Sequence, residues 1–206
     1  MSRIPAIIAA VAVVSGLGAA GWYAFAPGSG DDRFAQCRQV KVASAGQIGG
    51  PFTLTAHTGA RMTSDQVIDR PTLLYFGYTY CPDVCPVDMV RNADAVDIAE
   101  EQGVELRPVF ITIDPARDDP ESMATFVGNI HPRMIGLTGT EEEIRAVTKA
   151  YRVYRAKQGD DPEDYLMDHS TYAYLTAPGE GVLEFFRRDD SAEDVAKRAA
   201  CFIARL

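Results

Sequence analysis

The sequence predicts a single α/β domain with added hairpins, carried behind one N-terminal transmembrane helix. Three observations point there. The run PTLLYFGY, residues 71 to 78, is continuously apolar, as a central strand buried on both faces requires. Two cysteines follow it at once in YCPDVCPVDM, and a helix-periodic segment follows them. At the start of the chain, Ile4 to Ala26 runs for 23 residues without a charge, about the length that crosses a bilayer. With 206 residues, 47% of them hydrophobic, the chain can bury one sizeable core, and no segment repeats at a fixed period.

The N-terminal run ends near Trp22 and Tyr23, whose amphipathic rings favour the membrane interface. Arg3 is the only positive side chain ahead of it and DDR follows it, a bias that keeps the N-terminus in the cytoplasm and sends the rest outward. Ala24-Phe25-Ala26 also has the form of a signal-peptide cleavage box; Pro27 and the length of the run favour a retained anchor instead. No Arg- and Ser-rich transit peptide is present, which argues for a bacterial chain, single-pass in the cytoplasmic membrane, with its domain in the periplasm. Residues 27–45 are polar and rich in small side chains, so the division is an anchor over 1–26, a tether over 27–45 and a domain over 46–206.

Within the domain, GGPFTLTAHTGARMT alternates apolar and polar residues about His57-Thr58-Gly59, a hairpin. After the 71–78 strand, Pro86 has no backbone donor and suits the first turn of a helix, which therefore begins at about Cys85. Apolar residues at 87, 89, 90, 93, 96, 98 and 99 make that helix amphipathic, and Gly103 stops it. VELRPVFITID reads as a second core strand, and DPESMATFVGNIHP and TEEEIRAVTKAYRVY as helices entered through acidic first turns. STYAYLTAPGEGVLEFFR reads as two strands about Pro178-Gly179-Glu180-Gly181, and SAEDVAKRAACFIARL as a closing helix capped by Ser191. Active thiols directly after the first core strand of such a series make the layout thioredoxin-like.

Net charge is −9, from 29 acidic and 20 basic residues, with no Lys/Arg cluster in the domain, which argues against nucleic acid as a partner. Four cysteines in an outward-facing domain permit disulfides but are too few for a disulfide-built scaffold.

Cys81 and Cys85 are separated by three residues, one more than in a thioredoxin-type pair. Cys81 falls in the loop entering the helix and Cys85 at its start. Both sulfurs then lie beside free backbone amides and the positive helix end, which favours thiolate, the form that attacks disulfides and binds metals. Such a pair can clip a soft ion or close into a disulfide, and both remain open on the residues alone.

From Gly46 onward the sequence resembles the Sco/SenC family of copper chaperones for cytochrome c oxidase assembly. The resemblance rests on FGYTYCPDVCP, ITIDPARDDP, DHSTYAYL and the upstream anchor. It implies a thioredoxin fold in which Cys81, Cys85 and His169 hold one copper ion, delivered to the dinuclear copper centre of oxidase subunit II. It also implies a periplasmic copper donor and a thioredoxin-like reductant that keeps the thiols open. Two thiolates and an imidazole are a soft, three-coordinate set that suits Cu(I) and accepts Cu(II), whereas structural zinc usually takes four ligands. On spacing alone His169 would be an ordinary strand-entry histidine. Two rival functions use the same thiols: a thiol-disulfide oxidoreductase acting on the cysteines of the oxidase copper site, and a copper or redox sensor.

Asp114 closes the second core strand, at the edge where sites collect in open α/β sheets. The resemblance places DPARD near the metal and implies that Asp114 orients a ligand or a partner surface; an Asx turn or helix cap is the compatible bland reading. Asp168, adjacent to His169, is a candidate to orient the imidazole. His57 and His131 read as a turn and a helix-end residue, Met89 and Met167 as core fillers, and Tyr78 and Tyr80 as packing that could also shield the metal. KQGDDPEDYLMD, 157–168, reads as an irregular, acidic, mobile loop that brings His169 to the thiols. Cys37 and Cys201 flank the domain, and in an oxidising compartment the expectation is a Cys37–Cys201 disulfide, against a free, buried Cys201.

Overall fold

The computed structural model describes residues 32–38, 48–161 and 164–206. The chain divides into two units, Met1–Ala35 and Gln36–Leu206. Of the first, only residues 32–35 are described, and the expected anchor and most of the expected tether lie outside the described residues. Among the described residues, no helix is long and apolar enough to cross a membrane.

The second unit is built on a seven-stranded sheet whose middle is β3 (Thr72–Gly77), β4 (Arg107–Thr112) and β5 (Ile135–Thr138), all parallel. Every residue of β3 is buried, which explains the unbroken apolar run there. Alternate side chains reach opposite layers: Tyr75 stacks on Phe110 at 6.4 Å, while Phe76 meets Tyr151 at 5.3 Å and Tyr174 at 5.8 Å. The hairpin β1 (Thr53–Ala56) and β2 (Arg61–Thr63) extends the sheet beyond β5, and β8 (Ala173–Ala177) and β9 (Gly181–Phe186) extend it beyond β3. The order is β2-β1-β5-β4-β3-β8-β9. Both hairpins stand where the sequence puts them; β5 was not expected.

Helix α1 (Ser64–Val67) is a single turn after β2, and α2 (Val84–Glu101) connects β3 to β4. α2 differs from a simple amphipathic helix: Val87 and Val90 are exposed, while Asp88 and Asn92 are buried. It packs against β3 and β4 and also along α5 (Ala192–Ile203), so more than one face is covered. α3 (Pro120–Ile130) packs on β5; its N-cap Asp119 accepts the Ser122 amide at 2.8 Å, and Pro120 fills the first turn. α4 (Glu141–Ala150) begins with a capping box: Thr140 Oγ1 accepts from the Glu143 amide at 3.2 Å and Glu143 Oε2 from the Thr140 amide at 2.9 Å. Ser191 caps α5 by accepting the Asp194 amide at 3.2 Å.

The reading of 157–168 as irregular is overturned at both ends, while the described residues between, 159–161 and 164–165, lie in neither strand nor helix. β6 (Arg155–Gln158) and β7 (Leu166–His169) form an antiparallel two-stranded sheet in which Arg155 faces His169 and Gln158 faces Leu166. These strands leave little apolar signal because none of their residues is fully buried: half are exposed and half partly covered, alternately in β7 and pairwise in β6. The sheet shares no ladder with the seven-stranded sheet. Cys37 and Cys201 are joined, with an S–S distance of 2.06 Å and Cα atoms 5.6 Å apart.

Candidate metal site

The C-terminal ends of the parallel strands β3 and β4 release two loops side by side, and Asp118 ties them together. Its carboxylate accepts from the Thr79 amide at 3.0 Å, the Thr79 hydroxyl at 2.6 Å and the Thr112 hydroxyl at 2.5 Å. Burial pushes this carboxyl above the usual range, and the threonine donors pull the other way. The chain beyond Thr79 reaches Cys81 and then enters α2 at Val84.

The N-cap residue of α2, Asp83, makes no side-chain cap hydrogen bond. The Cys81 sulfur takes that role, accepting the Cys85 amide at 3.3 Å. Both sulfurs are buried. The Cys81 thiol is drawn below the usual thiol range, chiefly by its hydrogen bond with the Cys85 thiol; His169 and the amides of Cys85 and Asp83 add to this, and burial opposes it. The same bond, then burial, pushes Cys85 up. The two thiols are thus pushed in opposite directions, Cys81 toward thiolate and Cys85 toward thiol.

Gly77 sets the room for this arrangement. A Cβ there would lie 2.9 Å from Cys85 Sγ and 2.9 Å from the Phe110 ring, closer than a real Cβ approaches. Above the sulfurs stands His169, at the end of β7. Its Nε2 lies 3.4 Å from Cys85 Sγ, and its Nδ1 lies 2.8 Å from the Ser170 carbonyl. A carbonyl only accepts, so Nδ1 donates to it and Nε2 is the ring nitrogen turned toward the sulfurs. Tyr75 and Tyr78 meet the imidazole edge-on, at 6.3 and 6.0 Å. The donor atoms of Cys81, Cys85 and His169 all lie within 4.8 Å of one another, the one such group of three among the described residues. A soft ion placed among them has two sulfurs and one nitrogen and leaves a coordination position for an incoming donor.

The other expected residues fall elsewhere. Asp168 does not orient His169: it is exposed and accepts from Gln158 Nε2 at 2.7 Å, while the Ser170 backbone does the orienting. Adjacent residues on a strand point to opposite faces, which separates the two side chains. Asp114 is buried and bonds none of the three donors; it accepts from Arg117 Nε at 2.7 Å and from the Tyr165 hydroxyl at 2.7 Å. Met89 is buried beside Asn92 in α2, and the Met167 amide donates to the Tyr78 hydroxyl at 3.3 Å. Tyr80 is 57% exposed, and its ring lies 4.8 Å from the Arg117 guanidinium carbon. His57 Nδ1 accepts from the Gly136 amide, and His131 Nε2 lies 3.1 Å from Asp97; neither enters the site.

Residues that the sequence left unmarked complete the surroundings. Asp88, at the second turn of α2, accepts from the Tyr75 hydroxyl at 2.8 Å and from Arg188 Nε at 3.2 Å, fixing the ring that backs the imidazole. Asp118 stands four residues after Asp114 in the same DPARD stretch, and its burial could be suspected only from the turn that stretch makes.

The SCO1/SenC family model matches residues 40–204. The curated Protein SenC of Rhodobacter capsulatus is 46% identical over 205 residues, covering 100% of this chain and 92% of that one. Mitochondrial curated relatives are longer, and this chain spans about half of the Arabidopsis thaliana and human proteins, 46% and 52%. Among solved structures, Arabidopsis thaliana ScoI with copper bound aligns at a TM-score of 0.74 and 39% identity, over 77% of this chain and 99% of that one. Bradyrhizobium japonicum ScoI with copper bound aligns at 0.67 and 34%, over 74% and 97%.

Proposed function

Because this chain belongs to the SCO1/SenC family, we propose that it is a copper metallochaperone for cytochrome c oxidase assembly. The observation that carries the reading is the convergence of Cys81, Cys85 and His169 within 4.8 Å. Copper bound to the ScoI proteins of Arabidopsis thaliana and Bradyrhizobium japonicum supports copper as the cargo. The protein takes one copper from a periplasmic donor, holds it as Cu(I) or Cu(II), and passes it by ligand exchange to the dinuclear centre of oxidase subunit II. A Cys81–Cys85 disulfide cannot bind the metal, so a thioredoxin-like reductant gates loading.

The reduced protein should bind one copper per chain, and Cys81→Ser or Cys85→Ser should abolish tight binding. His169→Ala should weaken Cu(II) by at least about tenfold and Cu(I) far less, because two thiolates satisfy linear Cu(I) whereas Cu(II) prefers a fuller, nitrogen-containing set. Competition titrations with each oxidation state measure both. Unchanged Cu(II) affinity and spectrum in His169→Ala would sink the assignment.

The downward shift of the Cys81 thiol, four residues from a second thiol, also favours a second reading, thiol-disulfide exchange with the recipient's cysteines. That activity does not need His169, so His169→Ala separates the two: delivery falls, exchange remains. For location, the reading is a single-pass anchor at Ile4–Ala26 with the domain in the periplasm, supported by the length of the uncharged run. The full chain should then stay with membranes under salt extraction and be protease-accessible only from the periplasmic side. A soluble mature chain beginning at Pro27 would refute the anchor.

A further inference from the structure

We propose that Asp114, Arg117 and Tyr165 form a clamp that positions His169 and so sets how the site holds oxidised copper. The inference rests on the copper reading of the site and adds residues that touch none of the three donors. Its starting point is that the ligands come from two bodies. Both sulfurs belong to the β3–α2 junction, whereas His169 belongs to the β6–β7 sheet, which shares no ladder with the main one. On its C-terminal side the main sheet resumes at Ala173, where β8 pairs with β3, so main-sheet hydrogen bonds reach the imidazole only through the residues between. The N-terminal side of β7 depends on other contacts.

Those contacts converge on the connector after β4. Asp114 uses both oxygens: Oδ2 accepts from Arg117 Nε at 2.7 Å, and Oδ1 accepts from the Tyr165 hydroxyl at 2.7 Å. Arg117 Nη1 donates to the Tyr165 carbonyl at 3.0 Å, and the guanidinium carbon lies 3.5 Å from the Tyr165 ring centroid. The buried Nη2 has no hydrogen-bond partner, and the tyrosine faces supply what the cation lacks there. A second fastening runs from Arg155 Nη1 on β6 to the Ile113 carbonyl at 2.8 Å, in the same connector.

Tyr165 immediately precedes β7 and His169 ends it, so the clamp grips the far end of the strand that carries the ligand. The Tyr78 hydroxyl holds the middle through the Met167 amide at 3.3 Å. With one end released, β7 can swing about its middle and carry Nε2 away from the sulfurs. Cu(I) on two thiolates would barely register that swing, whereas Cu(II), which needs the imidazole, would.

The test uses the full chain with Tyr165→Phe, which removes one hydroxyl and keeps the ring, and Asp114→Asn. Each is titrated with Cu(II) and with Cu(I), and amide hydrogen exchange is followed in the metal-free protein. Both variants should bind Cu(II) about tenfold more weakly with an altered spectrum, and bind Cu(I) within about twofold of wild type. Amides of 155–158 and 166–169 should exchange faster by about fivefold to tenfold, while those of β3 and β4 stay unchanged. Wild-type Cu(II) binding and hairpin exchange in both variants would overturn the clamp. So would a parallel loss of Cu(I) binding and of β3 and β4 protection, which would mark a general stabilising contact. His169→Ala keeps the two levels apart: if it weakens Cu(II) and the clamp variants do not, only the clamp fails; if it leaves Cu(II) binding intact, the copper reading falls and the clamp with it.

Discussion

Gly77 shows how tightly the thiol pair is dimensioned. Alanine there would place a methyl 2.9 Å from Cys85 Sγ, between a fully buried strand and a fully buried ring. Neither neighbour can retreat cheaply, so Gly77→Ala should destabilise the reduced protein by about 1–3 kcal/mol, read from urea denaturation. A wild-type midpoint would show that the helix start yields freely. At this scale the sequence reaches the donors unevenly. The two cysteines announce themselves through spacing and Pro86, but His169 is visible only through the family resemblance, because it lies 84 residues from the nearer cysteine. Gly77, Asp118 and Ser170 stay hidden, since each acts through a neighbour that the fold alone brings close.

Among the elements, local signals and tertiary ones part company. The capping box at Thr140 opens the expected α4, and Glu143 also reaches back to Arg61 on β2, with Nη2 2.5 Å from Oε1. Thr140→Ala should therefore lower stability by about 1 kcal/mol, seen as a shift in denaturation midpoint with the copper affinity unchanged. A loss of several kcal/mol would mean that the β2 contact depends on the cap. Strands β3 and β4 are legible because burial on both faces leaves an apolar run. β5 is four residues long and includes Gly136, too short to declare itself, and β6 and β7 are half solvated and polar. The misread ends of 157–168 belong to β6 and to β7, the strand that His169 closes, so the ligand's support was the least legible part of the site.

For the whole molecule, the largest constraint is the Cys37–Cys201 disulfide, which spans 164 positions. Chain-entropy arithmetic for a loop of that size gives an upper figure of about 5 kcal/mol, reduced by any structure left in the denatured chain. Cys201→Ala should lower the unfolding free energy toward that limit, and a change below about 1 kcal/mol would show that the loop is constrained by other means. After mild reduction, denatured protein should label at Cys81 and Cys85 only; labelling of all four sulfurs at that step would contradict a stable bridge. Its pairing is accessible from the sequence because the two residues flank the domain and ends of compact domains often meet. The bridge also determines where mechanical load travels. A pull along the chain from its N-terminal side arrives at Cys37 and crosses the sulfurs into α5, so tension on the two chain ends bypasses every strand between them. The strands and loops that present Cys81, Cys85 and His169 lie between the bridged residues, on a slack branch of that force path.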